Sequence, residues 1–212
     1  LKNFVTELDP VANEEGGSLL AIFDEYKYLL ENDLNGYDLL TYGFNYIQRL
    51  PYWNSIKKNF IEMLVFDALI GNQDRHPFNW MVLFYPNDEI RLSPIYDNGA
   101  SLGFRFEDSY LLKMIENESM MNKYMKNTKS KAGIFEKKQV KVKQLLNYLI
   151  TEYPKETASI IEKINDFNIT EYNNYINSLS FISEYQEKWL LKIIPFRRNK
   201  ILQWVKEKER KS

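Results

Sequence analysis

"FDALIGNQDRHPFNWMVL", residues 66–83, places an acid, a guanidinium, an imidazole and an amide between Asp74 and Asn79, directly behind an apolar run. His76, within that cluster, is the only histidine of the chain. The segment leading into it, "WNSIKKNFIEMLVFDALI" (53–70), sets Ile56, Phe60, Met63, Leu64 and Ile70 along one side at helical spacing, with Asp67 the charged exception. Gly71 suits the left-handed residue that closes a helix. Beyond the cluster, "WMVLFY" and "IRLSPIY" are β-rich runs separated by Pro86-Asn87-Asp88-Glu89, the pattern of a hairpin with a four-residue connection. The expected order is therefore buried helix, glycine cap, polar loop, hairpin.

Outward from this centre the pattern is helical. "SLLAIFDEYKYLLEN" puts Leu19, Ile22, Phe23, Tyr26, Leu29 and Leu30 at helical spacing from an N-cap at Ser18. "GYDLLTYGFNYIQRL" is a shorter apolar segment ended by Pro51. Residues 1–17, with Asp9-Pro10 and Gly16-Gly17, read as a leader with turn chemistry. Residues 118–138 read as loop or short helix, and helical patterns follow to the end, with Pro154 and Pro195 as helix starts. The fold class expected is mainly α with a small β-hairpin (α+β), over one unit spanning 1–212.

Composition narrows the chemistry. Twenty-eight basic residues against 29 acidic ones give no global field for nucleic acid or a membrane surface. With no cysteine and one histidine, disulfides, thiolate sites and multi-histidine metal sites are excluded. No apolar run approaches the roughly 18 residues of a membrane span, and no signal peptide is visible. A cytoplasmic protein that contacts neither membrane nor nucleic acid directly is the expectation. A start at Leu1 in place of methionine favours a fragment.

Asp74 and Asn79 stand as in D-x-x-x-x-N, and Asp97 opens "DNG" at the far end of the hairpin. Phosphoryl transfer in protein kinases uses such a set: a carboxylate to take the hydroxyl proton, an amide five positions on, and an acid before a glycine. Hard Mg²⁺ takes oxygen ligands from a carboxylate and an amide carbonyl, while the base stands aside, aimed at the acceptor hydroxyl. Paired strands 80–85 and 90–95 would bring Asn79 and Tyr96 to one open end, Asn79 and Asp97 facing a shared site and Asp74 in the loop above. Each residue alone also reads as structural: Asp74 as a cap, Asn79 and Asp97 as turn formers, His76 as a hydrogen-bonded loop histidine. Together, in this order, they form a far rarer pattern.

"GNQDRHPFNW" followed by "LSPIYDNGASLG" resembles the C-terminal lobe of HipA-like serine/threonine kinases, whose pattern runs G-N-x-D-x-H-x-x-N, a hairpin, then P-x-Y-D. Gly71, Asn72, Asp74, His76, Asn79, Pro94, Tyr96 and Asp97 match it. "YMKNTKSKAGIFEKKQVKVKQLLNYL" is similar to the helical region that follows in many members, so the likeness covers residues 57–150. The resemblance implies the larger lobe of a protein-kinase-like fold, with ATP and Mg²⁺ as cofactors. Asp74 would be the catalytic base, with His76 orienting the loop or the phosphates and Asn79 and Asp97 as Mg²⁺ ligands. A protein substrate or an antitoxin-like DNA-binding partner is implied as well.

"DRHPFN" equally resembles the catalytic loop of phosphoinositide kinases, which leaves a lipid or small-molecule hydroxyl open as acceptor, and a non-catalytic interaction module is the rival of another class. No G-x-G-x-x-G and no V-A-x-K strand precede the helices, so the nucleotide-clamping lobe is expected to lie outside this chain. The basic run "KEKERK" and the Arg197-Arg198 pair read as solvated helix surface or as sites for phosphate-rich partners.

Overall fold

The computed structural model describes residues 4–31 and 33–210. In chain order, α1 (Phe4–Leu8) and β1 (Ala12–Glu15) precede α2 (Gly16–Ala21), α3 (Asp24–Glu31), α4 (Gly36–Gln48) and α5 (Trp53–Ile70). The central hairpin is β2 (Met81–Phe84) and β3 (Ile90–Leu92). Then come α6 (Asp108–Glu116), α7 (Glu118–Asn127), the short ribbon β4 (Lys129–Ser130) and β5 (Val140–Lys141), α8 (Val142–Glu152), α9 (Pro154–Asn165), α10 (Ile169–Asn177) and α11 (Glu184–Glu209). The chain is mostly helical, with two small antiparallel sheets. No helix among the described residues is long and apolar enough to cross a membrane.

α5 is the axis. Ile56, Phe60, Ile61, Leu64 and Val65 are wholly buried, on more than one side, because α8, α9, α11 and β3 surround it. Gly71 ends α5 in the left-handed conformation (φ +70), its N–H donating to the Asp67 carbonyl. A Cβ at that position would stand 3.0 Å from the Arg197 guanidinium carbon, and Arg197 is fully buried and unable to withdraw. Gly71→Ala is therefore expected to lose at least the ~1–2 kcal/mol that a left-handed L-residue costs, read as a lowered urea midpoint at unchanged slope.

The hairpin forms as the sequence indicates, with Val82 opposite Leu92 and Phe84 opposite Ile90. Residues 12–15, read from sequence as leader, instead add a third strand: β1 pairs antiparallel with β2, from Ala12 opposite Phe84 to Glu15 opposite Met81. All four β1 side chains are exposed, so this edge strand contributes backbone hydrogen bonds and almost no burial. A strand without an apolar face leaves no alternation to read.

Two further expectations change. The helix from Ser18 is broken: Ser18 lies inside α2, Ile22 is 65 % exposed, and α3 starts at Asp24. The break turns Tyr26 inward, where its hydroxyl donates to the Ile134 carbonyl. The side chains of Leu29 and Leu30 lie outside the described residues. Pro195 starts no helix but sits inside the 26-residue α11. Tertiary packing overrides the breaker: Trp189, Ile193 and Ile194 before the proline belong to one apolar cluster, and Ile201, Trp204 and Val205 beyond it to another. Pro154, by contrast, does open α9.

Candidate active site

The loop after Gly71 is tied to the helix before it. Asn72 is buried; its side-chain amide donates to Asp67 Oδ1 (3.0 Å), and its own oxygen accepts the Asp74 N–H (3.0 Å). Arg75 points the other way, into the protein, and is 0 % exposed. Its guanidinium grips Asp67 at two points, Nε to Oδ2 at 2.8 Å and Nη2 to Oδ1 at 3.1 Å. Burial pushes the Asp67 carboxyl up, opposed by the Arg75 guanidinium and the Asn72 amide. The remaining donors of Arg75 reach Asn79 O and Tyr96 O, each at 2.6 Å, and Asn98 Oδ1 at 2.5 Å. One buried side chain thus joins the end of α5, the end of the polar loop and the segment that carries Asp97.

Between the two arms, His76 Nδ1 accepts the Phe78 N–H at 3.2 Å and caps the short 3₁₀ turn Pro77–Asn79. Asn79, nearly buried at the end of that turn, donates its Nδ2 to the Asp74 carbonyl at 3.0 Å. This bond engages the amide nitrogen and not Oδ1. Asp97 is exposed and held in the left-handed region (φ +51). The neighbouring Tyr96 hydroxyl donates to Phe78 O at 3.1 Å, and burial, the largest cause, pushes that phenol up to about 12. The shared Arg75 nitrogen and this Tyr96 bond draw residues 78–79 and 96–97 to the same end of the hairpin.

Asp74 itself is 47 % exposed, and Lys131 Nζ holds its Oδ1 at 2.6 Å. One carboxylate oxygen is pinned while the side chain stays nearly half exposed. Lys131 arrives on the loop between β4 and β5, where Gly133 N–H donates to Arg75 O (2.7 Å) and Gly133 O accepts Trp80 Nε1 (2.7 Å). From the other side Gly16 and Gly17 press on the turn: a Cβ at Gly16 would meet the Trp80 ring at 2.2 Å, and one at Gly17 the Phe78 ring at 2.3 Å. These glycines, read from sequence as a turn, are there for close approach.

Sequence reasoning missed Asp67 as a structural partner, Arg75 as the central tie, Asn98 and Lys131. The charge of Asp67 on an apolar helix side was the available signal. Lys131 gave none, because a lysine in "NTKSKAG" looks like any loop lysine. The expectation that Arg197 lies on a solvated face is overturned: it is 0 % exposed and donates to the carbonyls of Ala68 (2.7 Å) and Leu69 (2.9 Å), capping the C-terminus of α5. Arg198 likewise turns to a backbone carbonyl, that of Ile164, at 2.8 Å. Of the terminal basic run, Lys211 lies outside the described residues.

Among the described residues no cluster of three or more His, Cys, Asp or Glu forms a metal site. An amide oxygen, as on Asn79, and a carboxylate, as on Asp97, are ligand types that Mg²⁺ takes, its shell being completed by water and phosphate oxygens.

Comparison with known proteins bears on the family and the fold. The model of the HipA-like C-terminal domain family matches residues 12–166. The serine/threonine-protein kinase CtkA of Helicobacter pylori is 26 % identical over 149 residues, covering 69 % of this chain and 45 % of that protein. This chain thus spans under half the length of that curated relative. The crystal structure of a H. pylori proinflammatory kinase CtkA superposes with a TM-score of 0.70 at 24 % identity, over 98 % of this chain and 71 % of that one.

Proposed function

This chain belongs to the HipA-like C-terminal domain family, and from that premise we propose that it is the phosphotransfer lobe of an ATP- and Mg²⁺-dependent serine/threonine kinase. The observation that carries the reading is the Arg75 tie, which draws the Asn79 and Asp97 segments together while Asp74 stays exposed on the same loop. In this reading the acceptor hydroxyl attacks the γ-phosphorus, ADP leaves, and the Asp74 carboxylate takes the hydroxyl proton. Lys131 keeps the carboxylate aimed. His76 shapes the turn that presents Asn79. Asn79 and Asp97 would hold Mg²⁺, whose charge offsets that of the β- and γ-phosphates. The antitoxin-type DNA-binding partner that the resemblance implies belongs to the same proposal.

The test is transfer of labelled γ-phosphate from Mg-ATP to serine or threonine by the full-length protein. Loss of transfer on chelating the metal, and a raised Mg²⁺ requirement in Asp97→Asn, are expected. A full-length protein that binds Mg-ATP yet transfers nothing to any protein would remove the assignment.

The proposal includes a covering lobe outside these 212 residues, since phosphoryl transfer draws on a phosphate-covering loop and a strand lysine that the sequence does not contain. The 212-residue chain alone is expected to bind Mg-ATP no tighter than about millimolar, roughly −4 kcal/mol, and to transfer no phosphate. Metal ligands open to water make weak charge contacts, and an adenine without one wall forfeits about 25 cal/mol for each Å² left wet. Calorimetric titration checks this, and micromolar binding would mean that the chain holds a complete nucleotide site.

A further inference from the structure

A cavity of about 440 Å³ opens beside the catalytic loop, between the 103–106 segment and α7. Gln73, immediately before Asp74, forms its near wall, and Arg105, Tyr110, Lys123, Tyr124 and Thr128 line the rest. Its lining contains two cations and no acid. Among the described residues, no carboxylate comes within ion-pair distance of Arg105 or Lys123.

Behind the wall the same sign continues. Arg197, fully buried, reaches Thr128 Oγ1 with Nη1 at 3.3 Å and stands 5.8 Å from the centre of the Tyr124 ring. Its own partners are carbonyls and a hydroxyl, with no carboxylate among them. The Tyr124 hydroxyl is buried with no hydrogen-bond partner, a cost of about 1–3 kcal/mol in an ordinary interior. Two cations in the lining, no acid beside them and a third cation buried behind the Tyr124 ring make this concavity the complement of an anion. Phe104 and Tyr110, 51 % and 41 % exposed, flank the opening and offer aromatic surface to a chain lying across it.

We propose that this cavity receives an anionic side chain, a carboxylate or a phosphomonoester, of the acceptor polypeptide. The inference rests on the kinase reading for the word acceptor, but the binding site itself does not. Gln73 links the two places: its N–H donates to Ala100 O (3.2 Å) and its chain continues directly into Asp74, so a polypeptide anchored here runs past the proposed base.

The experiment is fluorescence anisotropy without nucleotide, on the full-length protein, using serine peptides with aspartate, phosphoserine or alanine scanned at each position around the serine. At one position the anionic peptides are expected to bind about tenfold or more tighter than the alanine peptide. Arg105→Glu with Lys123→Glu, both exposed and tolerant of change, should abolish that preference at an unchanged melting temperature. The comparison of aspartate with phosphoserine peptides identifies which anion the site takes. Equal affinity for anionic and alanine peptides, or a preference that survives the double charge reversal, overturns the proposal. A transfer assay on the same peptides separates the two readings: pocket-dependent binding without transfer removes the kinase assignment alone, and transfer without anion preference removes this site alone.

Discussion

Arg75→Leu is expected to destabilise the protein by about 3–5 kcal/mol, the range for breaking a buried ion pair and leaving one charge alone. Asp67 and Arg75 are 1 % and 0 % exposed, so no water replaces the lost guanidinium. Asn79 O, Tyr96 O and Asn98 Oδ1 lose their donor in the same step. The double variant Asp67→Leu/Arg75→Met separates the two effects. It removes the stranded charge and should recover much of the stability, because an apolar pair of similar volume often matches a buried ion pair. It cannot restore the tie between loop and hairpin end, so phosphate transfer should stay low. Urea unfolding together with a transfer assay reads both. A single variant that loses under 1 kcal/mol would mean that Arg75 does not hold the loop to the hairpin end.

Asp74→Asn should lower turnover roughly 10²–10⁴-fold in the full-length protein, as loss of a general base does, with nucleotide binding retained. The substitution keeps the shape of the side chain and an oxygen for Lys131. Since Asp74 is nearly half exposed, the weakened ion pair should cost less than about 1 kcal/mol, so lost activity would not be lost fold. Single-turnover measurements with a nucleotide-binding control decide the matter. Unchanged turnover would make Asp74 a loop residue held by Lys131 and nothing more.

The sequence by itself determined the elements whose causes are local. The apolar positions of α5, its end at Gly71, and the hairpin on either side of Pro86–Glu89 follow from spacing, from a φ that glycine tolerates and from β-rich runs, while the HipA-like resemblance rests on the residues of the motif itself. What the tertiary structure decided has causes far apart along the chain. Polar β1 became a strand because β2 offered it an unpaired edge. Pro195 stayed within α11 because apolar packing on both sides outweighed one missing hydrogen bond. Lys131 meets Asp74 57 positions away, and Arg197 caps α5 from more than a hundred. A lysine or arginine reads alike in sequence whether solvated or buried, because its charge states the need for a partner, and only the packed chain supplies one.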